Sequence, residues 1–174
     1  NFGIAAAWEN VADEGVRARI RSIVETVAER LVADNFYVID GQGHMTRPTA
    51  SWRLAWMRTI ATVSPQKHPD VVAAYYDGAR KAVQAPGQAY PITYKEYFAN
   101  NLAMVRMYVL CTLENDPEVK AGWRNQLRQM YGSLRNHLNA HFAAIYLAAT
   151  GDQDADAAAT LQGQLIDMPG PPRW

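Results

Sequence analysis

The sequence predicts an all-α fold of antiparallel helical hairpins, with one short hairpin or loop near residues 37–47. Three observations carry this. Apolar residues recur every three or four positions along most of the chain, which collects them on one face of a helix. Runs containing Pro, Gly, Asn or Asp separate these segments at spacings that suit helix–turn–helix connections. FYVIDGQGHMTR (36–47) breaks the helical period and is β-rich at its start. With 174 residues, 49% of them hydrophobic, the chain can bury a sizeable core as a single helical domain spanning 1–174.

The elements follow in order. Over 11–34, Val16, Ile20, Ile23, Val24, Val27 and Leu31 form an amphipathic stripe. Tyr37–Ile39 is β-rich, and Asp40-Gly41 and Gly43 then suit a tight turn, with Pro48 marking the exit. A second helix is expected over 51–63 and a third over about 70–83, with Pro69 in its first turn. The segment 85–92 is a loop. Thr93 with Glu96 three residues on is a capping-box pattern that opens a fourth helix, running to about Glu114. This helix is apolar almost all round after Asn101, so it belongs at the centre of the packing. Asp116-Pro117 supplies a cap and a first-turn proline for the next helix. The 117–149 stretch is too long for one ordinary helix, and a break is expected near Gly132–Asn139. Gly151 ends that segment, and a last helix covers about 153–166.

Composition excludes several classes. The 17 basic and 17 acidic residues cancel, so there is no basic field for nucleic acid. Cys111 is the only cysteine, which rules out an internal disulfide and a cysteine-cluster metal site and suits a small buried hydrophobe. The longest strongly apolar stretch, 102–113, contains Arg106 and is too short for membrane insertion. The chain opens on Asn1 rather than Met and shows no signal peptide. It closes abruptly on MPGPPRW, so a segment of a longer chain is expected. Six or seven helices would then leave an apolar face for self-association or for the missing remainder. No cofactor is predicted.

Four stretches concentrate chemistry. NHLNAHFAAIYLAATGD (136–152) carries His137 and His141 four residues apart, a spacing that shares one face of a continuous helix. Leu134, Leu138, Phe142, Ile145 and Ala149 form a stripe there, with His141 roughly 50° from its centre and His137 at its edge. A zinc-peptidase helix needs Glu beside the first histidine, where this chain has Leu138, and no third ligand is adjacent; no metal site is predicted. The pair reads either as half-buried hydrogen-bonding histidines or as part of an organic-substrate cleft. GDQDADAAAT (151–160) begins like a calcium loop, but Ala157 and Gly163 stand where glycine and the closing glutamate are required. Its aspartates suit the next helix's N-terminus instead.

In YFANNLAMVRMY (97–108), Asn101 lies beside a stripe of Phe98, Leu102, Val105 and Val109, and Arg106 is the sole charge in that helix's second half. Both either staple helices internally or present an amide and a guanidinium to a carboxylate or to sugar hydroxyls. DGQGHMTRPTASW (40–52) gathers Asp40, His44, Thr46, Arg47 and Trp52 between two helices. An aromatic beside an arginine suits a sugar or an acidic ligand, while the plainer reading has Asp40 bracing the loop.

YVIDGQGHMTRPTASW (37–52) resembles a pattern, roughly lvDxdGkpTrWgxW, of a largely uncharacterised family of secreted bacterial α-helical proteins; Asp40, Gly41, Thr46 and Arg47 match it, and Pro48 replaces its tryptophan. ITYKEYFANNLAMVRMYVLCTLENDPEVKAGWRNQL and NAHFAAIYLAATGD resemble that family's later helices. The family is similar in style to the α/α-toroid proteins, which include polysaccharide lyases and many glycoside hydrolases. A looser likeness is to alginate-lyase-like toroids, whose Asn-Asn-His motif Asn100 and Asn101 match and Leu102 does not.

The resemblance implies part of an α/α toroid, a secreted or periplasmic location, and a carbohydrate-active or carbohydrate-binding role on an oligosaccharide or polysaccharide. For a lyase acting on uronic-acid glycans, Arg47 and Asn101 would neutralise the carboxylate. Tyr97, His137 or His141 would carry the proton, with Asp40, His44, Trp52 and Arg106 binding substrate. A hydrolase needs two opposed carboxylates, and Asp40 is the one acid nominated. The alternative is a non-catalytic helical interaction module.

Overall fold

The computed structural model describes residues 1–85 and 97–167. Among them the chain forms α1 (Phe2–Asn10), α2 (Glu14–Ala33), a hairpin of β1 (Val38–Ile39) and β2 (Met45–Thr46), α3 (Ala50–Val63), α4 (Pro69–Gln84), α5 (Tyr97–Leu113), α6 (Pro117–Leu134), α7 (Ala140–Thr150) and α8 (Ala155–Asp167). Among the described residues the fold is all-α, with one two-stranded sheet in the predicted loop, Val38 opposite Thr46 and Ile39 opposite Met45.

Side-chain caps set the boundaries. The Asp13 carboxylate accepts the Val16 N–H at 2.8 Å to start α2, and Thr49 accepts that of Trp52 at 3.3 Å to start α3. Asp116 accepts the Glu118 and Val119 amides at 3.0 and 3.1 Å, with Pro117 filling the first position of α6. Gly151, at φ +75°, ends α7 in the left-handed conformation that a glycine adopts without strain.

The structure adds one helix, contains the expected break, and moves the buried face of α5. Residues 2–10 form a helix that periodicity did not reveal, because FGIAAAW is apolar on every side. The break expected near Gly132–Asn139 is there: α6 ends at Leu134, Arg135–His137 make a 3₁₀ turn, and Leu138 turns left-handed at φ +48° before Asn139 caps α7. Within α5 the stripe of Phe98, Leu102, Val105 and Val109 is not the buried face. Only Val109 of the four is buried, beside Asn100, Met104, Met107, Leu110, Cys111 and Leu113. Helices α1, α3, α6 and α7 all pack on α5, so burial does not follow a single stripe. The loop expected over 85–92 past Ala85, the capping pair Thr93 and Glu96, and the MPGPPRW ending lie outside the described residues.

Consecutive helices fold back on each other. Val63 and Val71 share one apolar cluster, Arg58 meets Tyr76, and Gly78 lies against Leu54, so α3 and α4 are antiparallel. Arg124 bonds to the Ala149 carbonyl and Tyr131 stacks on Tyr146, which makes α6 and α7 antiparallel too. Alternate helices instead run parallel. Arg106 of α5 bonds to Thr49 at the start of α3, and Arg58 of α3 bonds to Leu113 at the end of α5. Tyr97, the first residue of α5, bonds to Asn139, the cap of α7. Thus α3, α5 and α7 form one parallel layer, and α4 and α6 pack together behind it. A Cβ on Gly122 of α6 would fall 2.5 Å from Val83 Cβ of α4, so that contact requires a glycine.

The main core runs along α3–α7 and includes Tyr75, Met104, Met107, Leu110, Trp123, Leu127 and Phe142. A second cluster, with Ile20, Val24, Ala28, Leu31, Phe36 and Ile60, seats α2 against α3.

Candidate functional site

Because α3, α5 and α7 are parallel, their first turns face one end of the molecule, and residues singled out in three separate stretches of sequence are spread across it, Trp52 and Arg106 at one crevice and His141 at another groove. Their levels follow from the Arg58–Leu113 bond. Counting back at about 1.5 Å per residue sets Thr49 level with Met104, and Asn101 about 5 Å further out. The Arg106 guanidinium reaches back to the Thr49 hydroxyl at 3.1 Å, as a helical side chain leaning toward its own N-terminus does. Arg47 enters this end from the hairpin, exposed and without a hydrogen bond or ion pair among the described residues. Trp52 and Arg106 line one small crevice of about 40 Å³, closed by Phe2 and Val109. Trp52 is half-buried and packs 6.2 Å from Trp56, so it is a wall residue rather than an open stacking face.

The Asp40 loop is braced from within. Asp40 Oδ1 accepts the amides of Gln42 and His44 at 2.8 and 2.9 Å, and Oδ2 pairs with His44 Nδ1 at 3.0 Å. The His44 backbone N–H, then its ring, hold the Asp40 carboxyl below the usual carboxylate range. These are the bonds of the reading in which Asp40 braces the loop.

At the α5–α7 side, Tyr97 stacks on Phe142 with centroids 5.5 Å apart and bonds to the Asn139 side chain. Asn139 in turn accepts the His141 and Phe142 amides at 2.8 and 3.2 Å. His137 and His141 do not share a helical face, because the 3₁₀ turn and left-handed Leu138 separate them; both are exposed rather than half-buried. His141 borders a groove of about 300 Å³ between α7 and α8, with Ala144, Leu161 and Gln164. In the Asn-Asn pair, Asn100 is the buried residue, 3% exposed, and Asn101 is half-buried.

The aspartates after α7 have protein partners. Arg128 makes two 2.7 Å bonds to Asp152, holding its carboxyl down at about 2, and Tyr146 donates to it at 3.0 Å. Asp154 caps α8 through the Ala157 amide and pairs with Arg135. Among the described residues no three His, Cys, Asp or Glu side chains cluster as a metal site. Cys111 is fully buried, and burial pushes its thiol up to about 12.

Sequence reasoning missed three features. Phe98, placed in the core stripe, is 73% exposed at the start of α5, beside the exposed Tyr97. Arg53, in the first turn of α3, lines a groove of about 320 Å³ between α3 and α4. Arg58 and Glu114 form a buried network. Arg58 Nε donates to the Leu113 carbonyl at 2.8 Å, Nη1 lies 3.0 Å from the Tyr76 hydroxyl and 3.4 Å from Glu114, and Glu114 accepts Tyr75 OH at 2.5 Å. An arginine inside the otherwise uncharged LAWMRTIATV was the available signal for the last of these. No family model, no curated protein and no solved structure matches this chain.

Proposed function

We propose that this chain binds an acidic polysaccharide across the end where α3, α5 and α7 begin, and that it is an arc of an α/α toroid. One observation carries the reading: the parallel run of these three helices. It brings three N-terminal dipole ends, the arginines 47 and 53, and the exposed rings of Tyr97 and Phe98 to one side of the molecule. The only carboxylate in the hairpin, Asp40, is spent on its own loop. Negative charge and flat sugar faces are what such a surface suits. The alternation of a parallel layer with helices packed behind it supports the toroid.

Binding fits this geometry better than lysis. Elimination needs the carboxylate-neutralising group and the base on one sugar residue. Helices α3 and α7 are separated by α5, two packing distances of roughly 8–10 Å each, which sets Arg47 and His141 at different points along a polymer. Calorimetric titration against neutral and uronic-acid oligosaccharides tests the proposal. Saturable binding of the acidic members, weakening as salt rises, is expected. Equal binding of neutral members, or none, overturns it, and accumulation of an unsaturated product restores the lyase reading. A second reading, the interaction module, is favoured by exposed Leu165 and Ile166 on α8. Light scattering that finds self-association through α8 would support it.

A further inference from the structure

The groove between α3 and α4 is set apart from the rest of that end by its lining. Its floor is Leu54 with the small residues Gly78 and Ala82, and its rim carries Arg53 and Lys81. At about 320 Å³ it lies at the small end of the range for ligand pockets and admits a single ring-sized group. The small floor residues make the space: a Cβ on Gly78 would come within 3.0 Å of the Leu54 side chain.

The two cations are not equivalent. Lys81 Nζ is bound to Asp77 at 2.7 Å, one turn earlier on α4. The Arg53 guanidinium makes no hydrogen bond or ion pair among the described residues, although the side chain is partly withdrawn from water. A half-buried guanidinium keeps five N–H donors in a planar fork that matches a carboxylate, and partial desolvation strengthens that match relative to an arginine in open water. Arg47, by contrast, stands on an exposed loop where solvent screens it.

Resting on the acidic-glycan reading above, we infer that Arg53, not Arg47, is the specificity-determining residue, taking a uronate carboxylate while the sugar ring lies on the Leu54–Gly78–Ala82 floor. The groove is the subsite where acidic and neutral sugars are told apart.

The test compares an oligogalacturonate with its methyl ester, which has the same shape without the charge, on wild type, R53Q, R53K and R47Q, each checked for an unchanged thermal melt. R53Q should weaken binding of the acid roughly tenfold or more and remove the preference over the ester, as loss of a charge-assisted fork requires. R53K, which keeps the charge without the fork, should fall between, and R47Q, which removes a solvent-screened charge of the same surface, should weaken binding less than R53Q and leave the preference over the ester in place. Preference retained in R53Q but lost in R47Q overturns the inference and leaves the glycan proposal standing. Should wild type bind neither oligosaccharide, acetate titrated against backbone amide NMR signals separates the two ideas. Saturable shifts at Ala50, Gly78 and Ala82 that vanish in R53Q retain the carboxylate subsite and remove the glycan. No shifts overturn both.

Discussion

Two polar clusters in this molecule are built in opposite ways. The Asp40 loop is conspicuous in the sequence, exposed in the structure, and held by bonds that span no more than four residues. The Arg58–Glu114 network was inconspicuous, is buried, and joins α3, α4, α5 and α6 through partners up to 55 residues apart. In it Glu114 accepts the Tyr75 hydroxyl and the Asn115 and Asp116 amides, while Trp123 Nε1 donates to Tyr75. Both clusters satisfy their carboxylate. Water already surrounds the first, so its bonds replace others of similar strength; the second stands where no water would take over.

The largest expected effect follows from breaking the buried cluster. Glu114→Ala leaves the Arg58 charge without its counter-ion, together with two amides and a phenol without their acceptor. A loss of about 3–5 kcal/mol is expected in denaturant unfolding. Replacing both partners, Arg58→Met with Glu114→Leu, should recover part of that loss, because most of it is the cost of an orphaned charge. A double variant as unstable as the sum of its singles would show that the pair is not coupled.

An intermediate case sharpens the contrast. Asp152 is partly exposed and held to Arg128 across the α6–α7 hairpin. Its folded carboxyl lies at about 2, below the ordinary 3.8, so the unfolded chain binds the proton first. Its contribution is therefore fully present above about pH 4 and is lost as pH falls through about 2. With the Arg128 side chain 41% exposed, solvent screening limits this to about 1 kcal/mol. Stability measured from pH 5 to pH 2 should fall more steeply in wild type than in Asp152→Asn; parallel curves would deny the linkage.

The smallest effect belongs to the loop. Asp40→Ala should leave the global unfolding midpoint unchanged while the Gln42 and His44 amides exchange faster with solvent. A large drop in that midpoint would mean that the hairpin contributes to the core, and would erase the difference between the clusters.

The sequence by itself determined whatever depends on neighbours along the chain. Capping at Asp116, the turn at Asp40, the break before Asn139 and the stop at Gly151 are all local consequences of backbone hydrogen bonding and side-chain polarity. Tertiary structure decided which face of α5 is buried, since neighbours crowd it on several sides and leave Phe98 out and Asn100 in. The parting of His137 and His141 follows from the same local break, because the 3₁₀ turn and left-handed Leu138 rotate one against the other. The parallel setting of α3, α5 and α7, the Arg53 groove and the Arg58–Glu114 network arise from contacts between segments tens of residues apart. Periodicity within one helix reports how apolar its faces are, and carries no record of which helix comes to lie against each of them.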